Sequence, residues 1–106
     1  MTKDVLFQVG QIVRHVRYGY RGVIVDCDPR CMAADEWYEY QTKGKDYKPT
    51  KEQPWYHVLV DGAAHQTYVA QQNLELSEDR RPINHPSVDR IFATFLEGRY
   101  FRENLN

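Results

Sequence analysis

Three short stretches rich in β-branched and aromatic residues, each bounded by glycine or proline, limit what this chain can become. They are residues 7–15 (FQVGQIVRH), 19–26 (GYRGVIVD) and 54–60 (PWYHVLV). Glycine permits sharp turns, while Val, Ile, Tyr and Trp suit the pleated surface between them. The pattern predicts a mainly β fold, a single small barrel of about five strands. So small a barrel leaves little room for an enclosed active site, and surface binding is the expected activity.

The remaining segments fill in the architecture. Phe7, Val9, Ile12 and Val16 are expected core members. Residues 18–22 (YGYRG) read as a turn whose two glycines accept positive φ. Residues 23–25 form a short apolar strand that ends before Pro29. Residues 35–40 suggest a helical turn. Residues 41–53 are polar, lysine-rich and punctuated by Gly and Pro, which predicts a long mobile excursion. Trp55, His57 and Leu59 face one side of the third strand and Tyr56, Val58 and Val60 the other, as expected of a central strand. A hairpin at Asp61–Gly62 leads to a strand over 65–70, a tight turn at 71–74 and a short last strand at 75–76.

The period then changes. Val88, Ile91, Phe92, Phe95 and Leu96 recur at helical spacing and predict a C-terminal helix over about 86–97. Pro86 suits its first turn, His85 or Ser87 its cap, and Gly98 its end. Its apolar face is expected to pack on the barrel. Residues 1–106 form one domain, with the barrel over about 7–76.

Composition excludes several classes. No run of about 18 apolar residues is present to span a membrane. Residues 1–6 lack a signal-peptide core, and a cytoplasmic, free-standing protein beginning at Met1 is expected. Cys27 and Cys31 have no second pair, and His15, His57, His65 and His85 are scattered; neither a metal nor any other cofactor is expected. The formal charge is −1 at pH 7. It divides into +2 over residues 1–30 (five basic, three acidic), −5 over 31–79 (four and nine) and +2 over 80–106 (five and three). No broad basic surface of the kind that neutralises duplex phosphates is visible.

No nucleophile, base and orienting group fall into a catalytic spacing, and no phosphate-binding glycine motif is present, so no enzyme activity is expected. The aromatic residues carry more information. The candidate binding residues are Arg14, His15, Arg17, Tyr18, Tyr20, Arg21, Trp37 and Trp55. Rings in turns stack on bases, hold methylammonium groups or grip peptides. The arginines match phosphate or carboxylate. Trp55, Tyr56 and Tyr68 also read simply as core residues with satisfied polar tips. An aromatic cage for a methylated side chain would need Tyr18, Tyr20 and one tryptophan about a common centre.

The segments VRH at 13–15, YGYRGVIV at 18–25, Asp28–Pro29, PWYHVLV at 54–60 and YVAQQNL at 68–74 resemble the YccV/HspQ family, the hemimethylated DNA-binding or heat-shock HspQ domain. The likeness covers about residues 7–76. CDPRCM at 27–32 with Glu36–Trp37, and His85–Pro86 with Val88, Arg90 and Phe92, resemble the version in the C-terminal domain of an animal F-box protein. The resemblance implies an SH3-like β-barrel and hemimethylated DNA binding. It also implies a stress-response role as specificity factor for an ATP-dependent protease, and F-box relatives place the domain in ubiquitin ligases. No catalytic residues are implied. The excursion at 41–53 is lysine-rich where some bacterial members are acidic. A non-enzymatic adaptor is thus the first expectation, with a protease, ligase or client as partner. Direct binding of hemimethylated DNA is the alternative, with Lys43, Lys45, Lys48 and Lys51 as a basic finger. Self-association through a strand edge is also expected to be possible.

Overall fold

The computed structural model describes residues 4–46 and 48–105. Its elements, in chain order, are β1 (Ile12–His15), β2 (Arg21–Asp28), α1 (Asp35–Thr42), β3 (Trp55–Val60), β4 (Gln66–Ala70), β5 (Leu74–Leu76), α2 (Val88–Ile91), β6 (Thr94–Leu96) and β7 (Arg99–Phe101). The first five strands form one antiparallel sheet in the order β4-β3-β2-β1-β5, and β6 pairs with β7. A 3-10 turn at Gln71–Asn73 leads from β4 to β5. The fold is mainly β, as the alternating apolar runs require. The expected barrel closure is not found: β4 and β5 are the edges of an open sheet. All five strands nevertheless share one interior, since Val13, Ile24, Tyr56, Val58, Val69 and Leu74 cluster there with Phe7.

The opposite face of the sheet is covered at both ends. At one end Ile12, Val23, Val25 and Leu59 pack against Ile83, Val88, Phe92 and Tyr100. At the other, Trp55 and Ala70 pack against Cys31, with Ala33, Trp37, Tyr38 and Tyr68 around them. The predicted C-terminal helix is therefore only partly present. It stops at Ile91, and residues 94–101 turn back as a hairpin. The β-prone sequence after Phe92 and the turn residues explain the switch. Glu97 and Gly98 lie between the paired Leu96 and Arg99 with φ of 51° and 78°. Two central residues at positive φ make the tight hairpin turn whose twist matches paired strands. Gly98 turns a hairpin instead of ending a helix. Leu96, expected on the helix's apolar face, is exposed. The segment still covers the sheet, as its apolar content demands. His85 helps start α2: its Nδ1 accepts the Ser87 N–H at 3.0 Å, and its carbonyl accepts the Val88 N–H at 3.2 Å. Ser87 makes no side-chain cap.

Two further expectations change. Val16 is exposed. The 41–53 excursion is pinned at its far end: Tyr38 donates to the Pro49 carbonyl at 2.7 Å, and the Cys31 N–H donates to the Lys51 carbonyl at 2.9 Å. Trp55 Nε1 donates to the Thr50 carbonyl at 3.2 Å, while buried Gln53 donates to the same carbonyl and accepts from the Gln72 N–H. In the 18–22 turn only Gly19 uses positive φ. Gly22 serves close packing instead, since a Cβ there would lie 2.4 Å from Val58 Cγ1 and 2.5 Å from the Leu59 carbonyl oxygen.

Arg21 locks the C-terminal segment to the sheet. Its guanidinium donates to the Asp61 carboxylate at 3.0 Å and to the carbonyls of Asp79 and Arg81 at 3.0 and 2.9 Å. A second carboxylate, that of Asp79, lies 3.6 Å from Nε. Only 16% of the Arg21 side chain is exposed. Arg14 differs: its pair with Glu75 is 45% and 50% exposed. Arg21→Ala is expected to lower unfolding free energy by about 2–3 kcal/mol, because it strands half-buried acceptors. Arg14→Ala is expected to change it by less than about 1 kcal/mol. Urea denaturation of the two variants checks this contrast; equal effects would contradict it.

Candidate functional site

Helix α1 and its following loop stand away from β4, and the space between them is a groove of about 1080 Å³. One end is the turn after β1, with His15, Arg17, Tyr18 and Tyr20; the other is built by Asp28, Met32, Trp37, Trp55, His57 and Tyr68. Between them Lys45, Asp46 and Pro49 line the loop side and Gln66, Thr67 and Val69 the β4 side.

The β1 turn is organised by its histidine. His15 is buried, and its Nδ1 accepts the N–H groups of Arg17 and Tyr18, each at 3.1 Å. Its ring stacks on Tyr18 at 4.5 Å and tilts against Tyr20 at 5.2 Å. Tyr18 stays exposed and accepts a hydrogen bond from Lys45 at 3.2 Å. Tyr20 is fixed by a 2.9 Å hydrogen bond to Thr67. The ring that joins Tyr18 and Tyr20 is thus His15. Among the described residues neither tyrosine makes a ring contact with a tryptophan, so the expected three-membered cage is not formed there.

The other end is a second aromatic group. Trp37 meets Trp55 edge-on at 6.2 Å and Tyr68 at 5.7 Å, and Trp55 tilts against Tyr68 at 5.3 Å. Tyr38 adds an edge contact to Trp55 at 6.4 Å. Trp55 is buried and forms the floor; Trp37 and Tyr68 are half-buried walls. The Tyr68 hydroxyl donates to Asp28 Oδ2 at 2.7 Å and accepts the Met32 N–H at 3.0 Å. Gln66 Nε2 donates to His57 Nδ1 at 3.1 Å, which leaves His57 Nε2–H to donate to Asp28 at 3.3 Å. Burial first, then the neighbouring Asp28 carboxylate, pushes the Tyr68 phenol up, so it remains a proton donor.

Of the eight candidates read from sequence, His15, Arg17, Tyr18, Tyr20, Trp37 and Trp55 line this groove. Arg14 and Arg21 do not. Arg14 pairs with Glu75 on the surface, and Arg21 is the structural clamp described above. Asp28, His57 and Tyr68 were not singled out from sequence as binding residues. The alternation of His57 with Trp55 was a usable signal for His57. None existed for Asp28, whose direction depends on an irregularity in β2.

That irregularity is one extra residue. Ile24 pairs with Val58, but the next partner, His57, pairs with Asp26, so Val25 is bulged out of the register. A bulge reverses which face later residues take. Asp28 then pairs with Trp55 and shares a face with Trp55, His57 and, through the β3–β4 ladder, Tyr68.

The profile of a family described as "Hemimethylated DNA-binding protein YccV like" matches residues 5–99. The chain belongs to the YccV-like family. F-box only protein 21 of Homo sapiens and of Pongo abelii is 39% identical to it over 99 residues, and that of Mus musculus 38%. The aligned region is 92% of this chain but 16% of the Pongo abelii protein and 15% of the human and mouse ones. The YccV-like fold thus corresponds here to a small part of a much longer relative. Among the described residues no group of three or more His, Cys, Asp and Glu is placed to hold a metal.

The YccV-like turn at His15 is sensitive to acid. Burial, then the positive charges of Arg17, Lys45 and Arg14, hold the imidazole below its ordinary value of 6.5. Protonation is therefore easier in the unfolded chain. His15 contributes stability at and above pH 6.5, and that contribution is lost as pH falls below 6.5 through the folded value. Protonated Nδ1 would also no longer accept the two turn N–H groups. Urea midpoints measured from pH 7.5 down to 5 are expected to fall more steeply for the natural chain than for His15→Asn, whose Oδ1 replaces the acceptor without titrating. Parallel curves would refute the assignment.

Proposed function

We propose that this chain is a non-enzymatic binding module whose groove docks a protein segment. Its role would be that of an adaptor or specificity factor in ATP-dependent proteolysis and protein quality control, acting in the cytoplasm. A protease, a ubiquitin ligase or a client would be the partner. The SH3-like character expected from the family likeness fits such a module. The observation that carries the reading is the groove itself. It is large enough for an extended peptide, has aromatic walls at both ends, and presents charges of both signs, with Arg17 and Lys45 at one end and Asp28 at the other. Aromatic anchors with few fixed polar groups suit peptide and protein recognition. The F-box only protein 21 relatives support a setting among protein partners.

The family description favours a second reading, direct binding of hemimethylated duplex DNA. The local electrostatics argue the other way. Three of the four lysines of the expected basic finger fold back onto acidic or phenolic groups: Lys51 onto Asp35, Lys48 onto Glu39 at 3.6 Å, and Lys45 onto Tyr18. Cations engaged in this way contribute less to phosphate neutralisation than free ones.

The two readings separate on one pair of measurements. Tyr18→Ala and Trp37→Ala remove groove walls at partly exposed positions. On the protein reading, each reduces retention of the native partner by about ten-fold or more, as hot-spot aromatics do, and urea denaturation of both variants separates this from loosening of α1, which Trp37 helps to hold. Degradation of the partner's clients slows in parallel. On the DNA reading, affinity for a hemimethylated duplex instead falls steeply with salt, about 0.9 in log K per log salt for each neutralised phosphate. Unaltered partner retention in both variants would exclude the groove as the docking site.

A further inference from the structure

We propose that the Trp37 end of the groove is a subsite for a cationic side chain, an arginine or lysine of the docked segment. The inference rests on the groove being the docking site and adds what one position of the occupant must be. Three observations point to it.

Asp28 is a preorganised carboxylate. Tyr68 and His57 both donate to its Oδ2, at 2.7 and 3.3 Å, and 26% of the side chain remains exposed toward the groove. Tyr68 is itself held by the Met32 N–H. The carboxylate therefore cannot swing away to solvent without breaking two hydrogen bonds.

Among the described residues, no lysine or arginine pairs with it. The basic residues of the surrounding loops are taken elsewhere: Arg30 by Glu52 at 2.8 Å, Lys48 by Glu39 at 3.6 Å and Lys51 by Asp35. Among the described residues its ionisable neighbour is His57, whose Nδ1 accepts from Gln66 at 3.1 Å while Nε2 faces Asp28 at 3.3 Å. A carboxylate partly withdrawn from water, with no lysine or arginine beside it, gains from a cation delivered by a ligand.

The walls beside it are ring systems. Trp37 and Tyr68 line the groove next to Asp28, 5.7 Å apart and inclined by 60°. A cation over a ring face is attracted by the ring quadrupole, most strongly over tryptophan. A guanidinium combines this stacking with a planar donor fork that matches a carboxylate, which favours arginine over lysine. Elsewhere along the groove the charge is mixed, with Asp46 lining it beside Lys45 and Arg17; the Trp37 end is set apart by joining a held carboxylate to ring walls.

The test uses the whole chain, heteronuclear NMR and three eight-residue peptides identical except at one central position, which is arginine, citrulline or norleucine. The arginine peptide is expected to shift the Trp37 indole and the Asp28 and Tyr68 amides. It should bind about five-fold or more tighter than the citrulline peptide, which keeps the shape without the charge. Asp28→Asn should bring the two peptides to parity, and Trp37→Leu should weaken the arginine peptide independently should Asp28→Asn fail to fold. Equal binding of all three peptides in the groove would overturn the cationic subsite and leave groove docking standing. Arginine binding outside the groove, or no binding by any peptide, would also overturn the subsite; groove docking is judged separately, by partner retention in the wall variants. A hemimethylated duplex that shifts the same amides and binds more tightly to Asp28→Asn would overturn it in favour of a phosphate-binding surface.

Discussion

The extra residue at Val25 is the constraint on which the make-up of the aromatic groove depends. A regular β2 would alternate faces without interruption from Val23, and Asp28 would share the face of Ile24, which belongs to the interior formed by all five strands. The bulge reverses that order. It sends Asp26 and Asp28 to the face that carries Trp55 and His57. An ionisable side chain is thereby moved from an apolar interior to a half-exposed position where two donors meet it. Val25 itself stays with Val23 in the cluster beneath the C-terminal segment, as it would in a regular strand.

The two covers of that face are unequal. The C-terminal segment buries Ile83, Val88, Phe92 and Tyr100 against the sheet and is tied down by the Arg21 network, so it behaves as part of the core. Helix α1 is different. Its surface is mostly polar and its one strong attachment is aromatic, through Trp37 and Tyr38 onto Trp55. The hydrogen bonds of Tyr38, Trp55 and Gln53 then fix the loop that follows. A cover held by rings and loop carbonyls does not seal against β4, and the gap it leaves is the groove.

Polar groups within the groove mostly have structural partners of their own. His15 closes a turn, Tyr20 ties the turn before β2 to β4, and Tyr68 ties β4 to the segment after β2. Such groups hold ring faces at fixed angles, and rigid rings lose little freedom when a ligand docks on them. What the groove offers a partner is therefore shape and π-surface first. Charge enters at only a few positions, chiefly Arg17, Lys45 and Asp28.

Local sequence determined the strands of the five-stranded sheet, the interior place of β3, the turn at 71–73 and the aromatic turn around Tyr18, because alternation and turn chemistry act over a few residues. Six of the eight candidate residues line one groove, a grouping made by the tertiary structure. Local sequence misjudged the C-terminal segment, where helical spacing of Val88, Ile91 and Phe92 continued by chance into Phe95 and Leu96 while Glu97–Gly98 imposed a hairpin. It gave no sign of the structural contacts of Arg21, since the guanidinium's partners at Asp61 and Asp79 are distant in the chain. Tertiary structure alone decided the open sheet edges and the place of Asp28. Strand register is a property of two chains at once, and a bulge that reverses a face leaves no mark in the periodicity of either strand.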